Sequence, residues 1–152
     1  MKKTIIFLLF LTCINSFAQV KSVEILQRAA GNEVLEAMFL PDSTIHIQMT
    51  GKDNAYDNGT KSMTIFSGTP KGYYTFICEL EKFAEENEPV VHTRIIGKIG
   101  GMSVSLEKFI GSVQLLIYEK GGTSYHHLLP SWLPKFKEKF TEWANNNNIP
   151  FQ

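Results

Sequence analysis

Histidine is the residue type in this sequence that could carry chemistry, and two histidines are adjacent in "TSYHHLLP". An imidazole beside an acid can act as a general base, and converging imidazoles can ligate a metal. We therefore consider a small hydrolase or metal-dependent enzyme that uses His92, His126 or His127 with an acid such as Glu119.

Metal ligation would require these imidazoles to meet at one point. Neighbours in a strand point to opposite faces, so His126 and His127 cannot both ligate one ion unless the strand ends there. A cross-strand partner would be needed, and His92 is the candidate. No HxH or HExxH pattern accompanies them. We predict no metal and no cofactor.

Cys78 is the second reactive residue to consider. On a predicted helix it lies with Tyr74 nearly opposite the main apolar arc, whereas unpaired cysteines are usually buried. Either another segment covers that flank, or the thiol is exposed and could join two chains in a homodimer. Its mid-helix position beside glutamates argues against a catalytic thiolate.

Two loops bear a limited likeness to ligand-binding motifs. "DNAYDNG" places acids four residues apart but lacks the ligand pattern of a calcium loop, so it predicts a turn at Asn58-Gly59. "GKIGG" joins two predicted strands instead of opening a helix, which favours a hairpin over a phosphate site.

The first 18 residues have the pattern of a signal peptide. A basic start, an apolar run over 4–14 and the small-residue stretch "SFA" predict cleavage and export to the periplasm or the cell exterior. The run is too short to span a bilayer, for which about 20 residues are needed. Lipid attachment at Cys13 is disfavoured because the residues before it are not small.

Residues 19–152 have a length that suits one domain. The whole sequence has 15 basic and 15 acidic residues, so loss of Lys2 and Lys3 leaves 13 basic against 15 acidic residues, a formal charge of −2. This balance gives no reason to expect nucleic acid as a partner. Only Cys78 remains after cleavage, which excludes an intrachain disulfide.

The elements that position these residues follow from periodicity. "VKSVEILQRAAGN" is ambiguous between helix and strand, and we favour a helix. "EVLEAMFL" and "TIHIQM" flank a turn at residues 41–43 and predict a hairpin, and "KSMTIF" predicts a third strand. Four further strands, "VVHTRIIG", "MSVSLE", "SVQLLIYE" and "TSYHHL", follow the first helix.

Two long helices are predicted. The first has Thr69 as its N-cap, Pro70 in its first turn and an apolar arc that includes Phe76 and Leu80. The second, near residues 131–148, gathers Trp132, Phe136, Phe140 and Trp143 on one arc with lysines at its borders. We expect this arc to cover the protein's own sheet, with a membrane or partner surface as the alternative.

The predicted fold class is α+β. The order βββα-ββββα suggests one antiparallel sheet of about seven strands with both long helices on one face, and a faint repeat around Pro70-Lys71 and Pro134-Lys135 raises the possibility of two related halves. We expect a non-catalytic binding or interaction module with a protein or small-molecule ligand, acting through the uncovered sheet face or the groove beside the helices. The residues proposed to contact the ligand are His92, His126, His127, Tyr74 and Cys78.

Overall fold

The first half of the chain is a four-stranded antiparallel meander followed by a helix. The structure, a computed structural model, describes residues 20–28, 32–55, 61–109, 111–120 and 123–152. The sheet order is β1-β2-β3-β4, and the elements are β1 (Lys21–Arg28), β2 (Glu33–Phe39), β3 (Ile45–Lys52), β4 (Ser62–Gly68) and α1 (Pro70–Glu86). The predicted signal peptide, with Cys13, and the turn at Asn58-Gly59 lie outside the described residues.

The second half repeats this order. Its sheet, β5-β6-β7-β8, is also an antiparallel meander, and its elements are β5 (Arg94–Ile99), β6 (Met102–Phe109), β7 (Ser112–Tyr118), β8 (Tyr125–Leu128), a short 3-10 turn (Pro130–Trp132) and α2 (Leu133–Asn146). Two ββββα units are what an internal duplication would produce, and the duplication itself stays a hypothesis. No helix among the described residues is long and apolar enough to span a membrane.

The prediction of an α+β fold with antiparallel strands and two long helices is confirmed, but the single seven-stranded sheet is wrong. The described chain contains two sheets of four strands each. Hairpin signals predict which consecutive strands pair, but they do not predict whether β4 and β5, which α1 separates, belong to one sheet. In the structure, β4 and β5 belong to different sheets.

The predicted helix at the start of the chain is also wrong, because this segment is β1. It pairs with β2 along its length, and the register shifts between Glu24 and Leu26. Such a bulge places one extra residue in the strand and interrupts the alternation of inward and outward side chains. Ile25 and Leu26 both pack partly against the core as a result, which explains why the periodicity of this stretch was ambiguous.

The start of α1 agrees with the prediction. Thr69 is the N-cap, and its hydroxyl oxygen accepts a hydrogen bond from the N–H of Gly72 at 3.1 Å. Pro70 occupies the first helical position, where no N–H is needed. The buried side chains are those of the predicted arc: Tyr73, Phe76, Ile77 and Leu80.

Helix α2 places its apolar arc in the core, as predicted. Phe136 and Phe140 are fully buried, and Trp132 and Trp143 pack partly against the same cluster. The helix also contacts α1, where the Lys137 ammonium binds the Glu81 carboxylate. This aromatic arc therefore closes the protein's own core.

The two halves share one hydrophobic cluster, to which both sheets and both helices contribute. The edge strand β8 of the second sheet approaches the ends of β3 and β4. This junction between the two sheets is where the polar residues of interest meet.

Candidate functional site

The adjacent histidines lie on opposite faces of β8, as the strand geometry predicts. His126 points inward and is 1% exposed, whereas His127 is half-buried on the outer face. His92 lies in a turn before β5, where it is exposed and has a left-handed backbone with φ of 65°. The backbone N–H of His92 donates to the carbonyl of Lys108.

His126 belongs to a buried polar cluster, which we call the junction cluster: Arg28, Glu33, His126 and the carbonyl group of Lys52. The Nδ1 of His126 lies 2.7 Å from the Lys52 carbonyl oxygen, and its Nε2 lies 3.0 Å from Glu33 Oε1. Arg28 donates from Nη1 to the same Oε1 at 2.8 Å. The cluster therefore links β1, β2 and β3 to β8.

The partners of His126 constrain the roles of its ring nitrogens. A carbonyl oxygen only accepts, so a hydrogen bond to Lys52 requires a proton on Nδ1. Nε2 faces an oxygen of the Glu33 side chain, so both ring nitrogens are engaged inside the protein.

This arrangement is poorly suited to catalysis. A histidine acting as general base needs one ring nitrogen within reach of the substrate, whereas both nitrogens of His126 have partners and the ring is almost fully buried. The carboxylate that meets His126 is Glu33, whereas Glu119, the acid considered from the sequence, is exposed. The cluster is arranged to join the two halves.

Glu33 was missed by the sequence reasoning, although a signal exists. Along β2 the buried positions alternate, so that Glu33 shares the inward face with Leu35 and Ala37. Asp53 continues the inward alternation of β3 in the same way. A charged residue in phase with an apolar strand face predicts a buried polar contact.

Gly51 makes room for the His126 ring. A Cβ atom at this position would lie 2.7 Å from Cε1 of His126 and 2.7 Å from the end of Ile65. The imidazole can therefore approach the β3 backbone because residue 51 has no side chain.

The segment after β3 holds β8 from the other side. The N–H of Asn54 donates to the carbonyl of Tyr125 at 2.7 Å, and the side-chain oxygen of Asn54 accepts from the N–H of His127 at 3.0 Å. These two hydrogen bonds of Asn54 thus extend the contact between β8 and the first half of the chain that the junction cluster begins.

The buried carboxylate of Asp53 stabilises the same segment. Burial by itself would raise the pKa of Asp53, but hydrogen bonds and the charge of Lys61 outweigh burial and hold that pKa below its ordinary value of 3.8. The N–H of Ala55 donates to Asp53 Oδ1 at 3.0 Å, and the Ser124 hydroxyl and the N–H of Tyr125 also act to lower the pKa of Asp53. The ionised form of Asp53 is therefore favoured by the folded state.

We expect Asp53→Ala to make the protein less stable at neutral pH and less sensitive to acid. Because the folded-state pKa lies below the unfolded one, the stabilisation is complete above the unfolded value of about 3.9 and is lost as pH falls through the folded value. This stabilisation is measured by urea unfolding of wild type and variant at a series of pH values from neutral to below the unfolded-state pKa. The free-energy difference between wild type and variant should narrow in acid. A difference that stays constant contradicts the assignment.

The outer face of the second sheet carries an aromatic surface, which we call the ring platform: Tyr118, Tyr125 and His127. Ring centroids are 5.8 Å apart between Tyr118 and Tyr125 and 5.2 Å apart between Tyr125 and His127. Burial, followed by the charge of neighbouring His126, lowers the pKa of His127. The platform therefore presents a neutral imidazole at neutral pH.

An open depression of about 610 Å³ lies over the ring platform. Polar side chains surround the rings, and Arg94 forms an ion pair with Glu107 across β5 and β6. Leu116 forms part of its floor. The other polar residues that line it are Gln114 and Thr123.

A smaller cavity of about 200 Å³, which we call the junction pocket, lies at the edge of β8 beside the junction cluster. Its lining includes Arg28, Asn54 and His126. Gln114 and His127 line both this cavity and the depression over the ring platform. The two concavities therefore adjoin each other at β8.

Cys78 and Tyr74 lie away from both concavities. Cys78 is a half-buried free thiol, and the Tyr74 ring packs edge-on against Phe151 at a centroid distance of 5.0 Å. Phe151 thus covers part of the side of α1 that carries Tyr74 and Cys78, whose exposure the sequence did not determine. The disulfide-linked homodimer through Cys78 stays a prediction.

Among the described residues, no group of three or more histidine, cysteine, aspartate or glutamate side chains is placed to hold a metal ion. The comparisons with known proteins give no family to which the chain can be assigned. No protein-family model matches the sequence, and no curated protein is significantly similar to it.

Proposed function

We propose that the protein is an exported, non-catalytic binding module, and that it holds a saccharide on the ring platform of the second sheet. The observation that carries this proposal is the row of three rings, Tyr118, Tyr125 and His127, in an open depression with a polar border. Aromatic rings that are bordered by hydrogen-bonding groups form a surface that is partly apolar and partly polar.

A saccharide is the ligand that fits this mixed surface best. A pyranose ring has an apolar face of C–H groups, which can pack on an aromatic ring, and a rim of hydroxyl groups, which need hydrogen-bond partners. On the platform, Tyr125 occupies the centre of the ring row, while Gln114 and the Arg94–Glu107 pair supply donors and acceptors at its border.

The polar groups of the platform are held before any ligand arrives. The Ser105 hydroxyl lies 3.4 Å from Glu107 Oε1 and 3.4 Å from the Tyr118 hydroxyl, and Arg94 binds the same carboxylate. Side chains that are already ordered lose less conformational entropy on binding. This order supports a recognition surface in preference to a mobile solvent-facing patch.

The alternative of a histidine enzyme is less well supported. Both ring nitrogens of His126 are engaged inside the protein, and His127 projects to the other face of β8.

The predicted signal peptide supports the saccharide proposal, because an exported protein would meet polysaccharides outside the cytoplasm.

The proposal is tested by titrating the mature protein with cellobiose, lactose and maltose while backbone amides are followed by NMR. We expect saturable shifts centred on Tyr118, Tyr125 and His127 for at least one of these sugars. Tyr125→Ala should weaken the binding of that sugar about tenfold, which corresponds to about 1.4 kcal/mol, because the central ring of the platform is removed. Tyr125→Phe is the matched control, because it keeps the ring and removes only the hydroxyl.

Two outcomes would overturn the proposal. One is the absence of saturable shifts for all three sugars at millimolar concentrations in the wild-type protein. The other is a set of shifts that maps to the first sheet or to the helices instead of the ring platform. Both measurements use the wild-type chain, so they do not depend on the folding of the variants.

A further inference from the structure

We propose that the junction pocket binds a carboxylate, so that the preferred ligand is an acidic saccharide with its ring on the platform and its acid group beside Arg28. This inference rests on the proposed function and names its ligand class. It starts from the cationic side chains that line the pocket, the unused edge of Arg28 and the position of the pocket beside the ring platform.

The side chains that line the junction pocket favour an anion. Arg28 and Lys52 are among them, and no acidic side chain is among the described residues that line it. Glu33 is the acid that Arg28 contacts, and it binds only the Nη1 end of the guanidinium. A buried cation is costly unless it is paired and hydrogen-bonded, so an anion at the free edge of Arg28 would stabilise it.

Arg28 is placed to receive the anion. Its side chain is 10% exposed, its guanidinium lies over the Trp132 ring at 4.5 Å from the centroid, and it takes part in the wall of the pocket. Glu33 binds Nη1, whereas Nε is buried without an acceptor among the described residues. The Nε edge of a guanidinium is one of the two edges that can bind a carboxylate bidentately.

The pocket also lies where a sugar on the platform would carry its acid group. Gln114 and His127 line both concavities, so the pocket adjoins the depression in which the sugar ring would lie. The pocket volume of about 200 Å³ has room for a carboxylate with its flanking atoms. A neutral sugar would leave this volume without a charged occupant.

The test compares matched pairs that differ in the carboxylate: D-galacturonate with D-galactose, and D-glucuronate with D-glucose. By NMR titration we expect the acid of at least one pair to bind about tenfold more tightly and to shift the amides of Asn54 and Leu129 in addition to those of the platform. Acetate alone should shift the Asn54 amide and compete with the acidic sugar. The double variant Arg28→Gln/Glu33→Gln, which leaves no unpaired carboxylate, should bring the ratio of acid to neutral affinity close to one.

The inference is overturned if neither acid binds more tightly than its neutral partner, or if acetate leaves the pocket amides unchanged in the wild-type protein. In that case binding of the neutral sugars on the platform would still stand. If cellobiose, lactose and maltose also give no saturable shifts, the proposed function fails as well, so the two failures are distinguishable.

Discussion

Replacing Glu33 by alanine should lower the free energy of unfolding by about 3–5 kcal/mol, the usual cost of removing one partner from a buried ion pair. Glu33 is fully buried and is the hydrogen-bond partner of both Arg28 and His126. Without it, the Arg28 charge faces no acid, and Nε2 of His126 loses its partner. Removing the Glu33 carboxylate also weakens the contact between β2 and β8, so the loss of stability should affect the whole fold.

Urea unfolding followed by circular dichroism measures this loss. Glu36→Ala is the matched control, because Glu36 lies on the same strand but on its outer, half-buried face, and we expect a change within about 0.5 kcal/mol. The triple replacement Arg28→Met/Glu33→Leu/His126→Phe should recover much of the stability, since apolar groups of similar size need no partners. A loss below about 1 kcal/mol for Glu33→Ala would show that the cluster does not hold the halves together.

Phe140→Ala should also cost about 3–5 kcal/mol, as deletion of a large buried ring does. Phe140 is fully buried, and its ring centroid lies 4.8 Å from that of Tyr73 on α1 and 5.4 Å from that of Phe151 near the C terminus. The ring thus joins α2 to α1 and to the end of the chain. Its removal leaves a cavity where these segments meet.

A graded series on the same helix makes this prediction specific. Trp143→Ala should cost less than Phe140→Ala because Trp143 is only half-buried, and Glu142→Ala should change the unfolding free energy by no more than about 0.5 kcal/mol because its ion pair with Lys139 is exposed. The midpoint of urea unfolding is the readout. If Phe140→Ala has no effect, the aromatic arc does not serve the core, and adhesion to a lipid surface becomes the better hypothesis for α2.

Helix α1 and the hairpin between β2 and β3 could be predicted because their signals are local. Thr69 and Pro70 mark the start of the helix, and its apolar arc is readable from a period of 3.6 residues. At the hairpin, Leu40 donates to the Thr44 carbonyl at 2.9 Å, and Asp42 accepts from the Thr44 N–H at 3.0 Å. Each of these contacts joins residues within a few positions of one another.

The number of sheets and the identity of β1 could not be predicted in this way. Whether a strand continues an existing sheet or begins a new one depends on packing across α1, which no local pattern encodes. In β1, the bulge after Glu24 breaks the alternation on which strand prediction depends. Pairing with β2 then decides the conformation.

By itself, the sequence determined the two helices, the strands from β2 onward, the opposite orientations of His126 and His127, and the inward position of the aromatic arc on α2. These follow from the spacing of neighbours along the chain. The tertiary structure alone decided that His126 meets Glu33, a residue 93 positions away, and that the ring platform lies beside the junction pocket. Contacts between distant segments depend on how the two sheets pack, and the energy of that packing is distributed over the whole core.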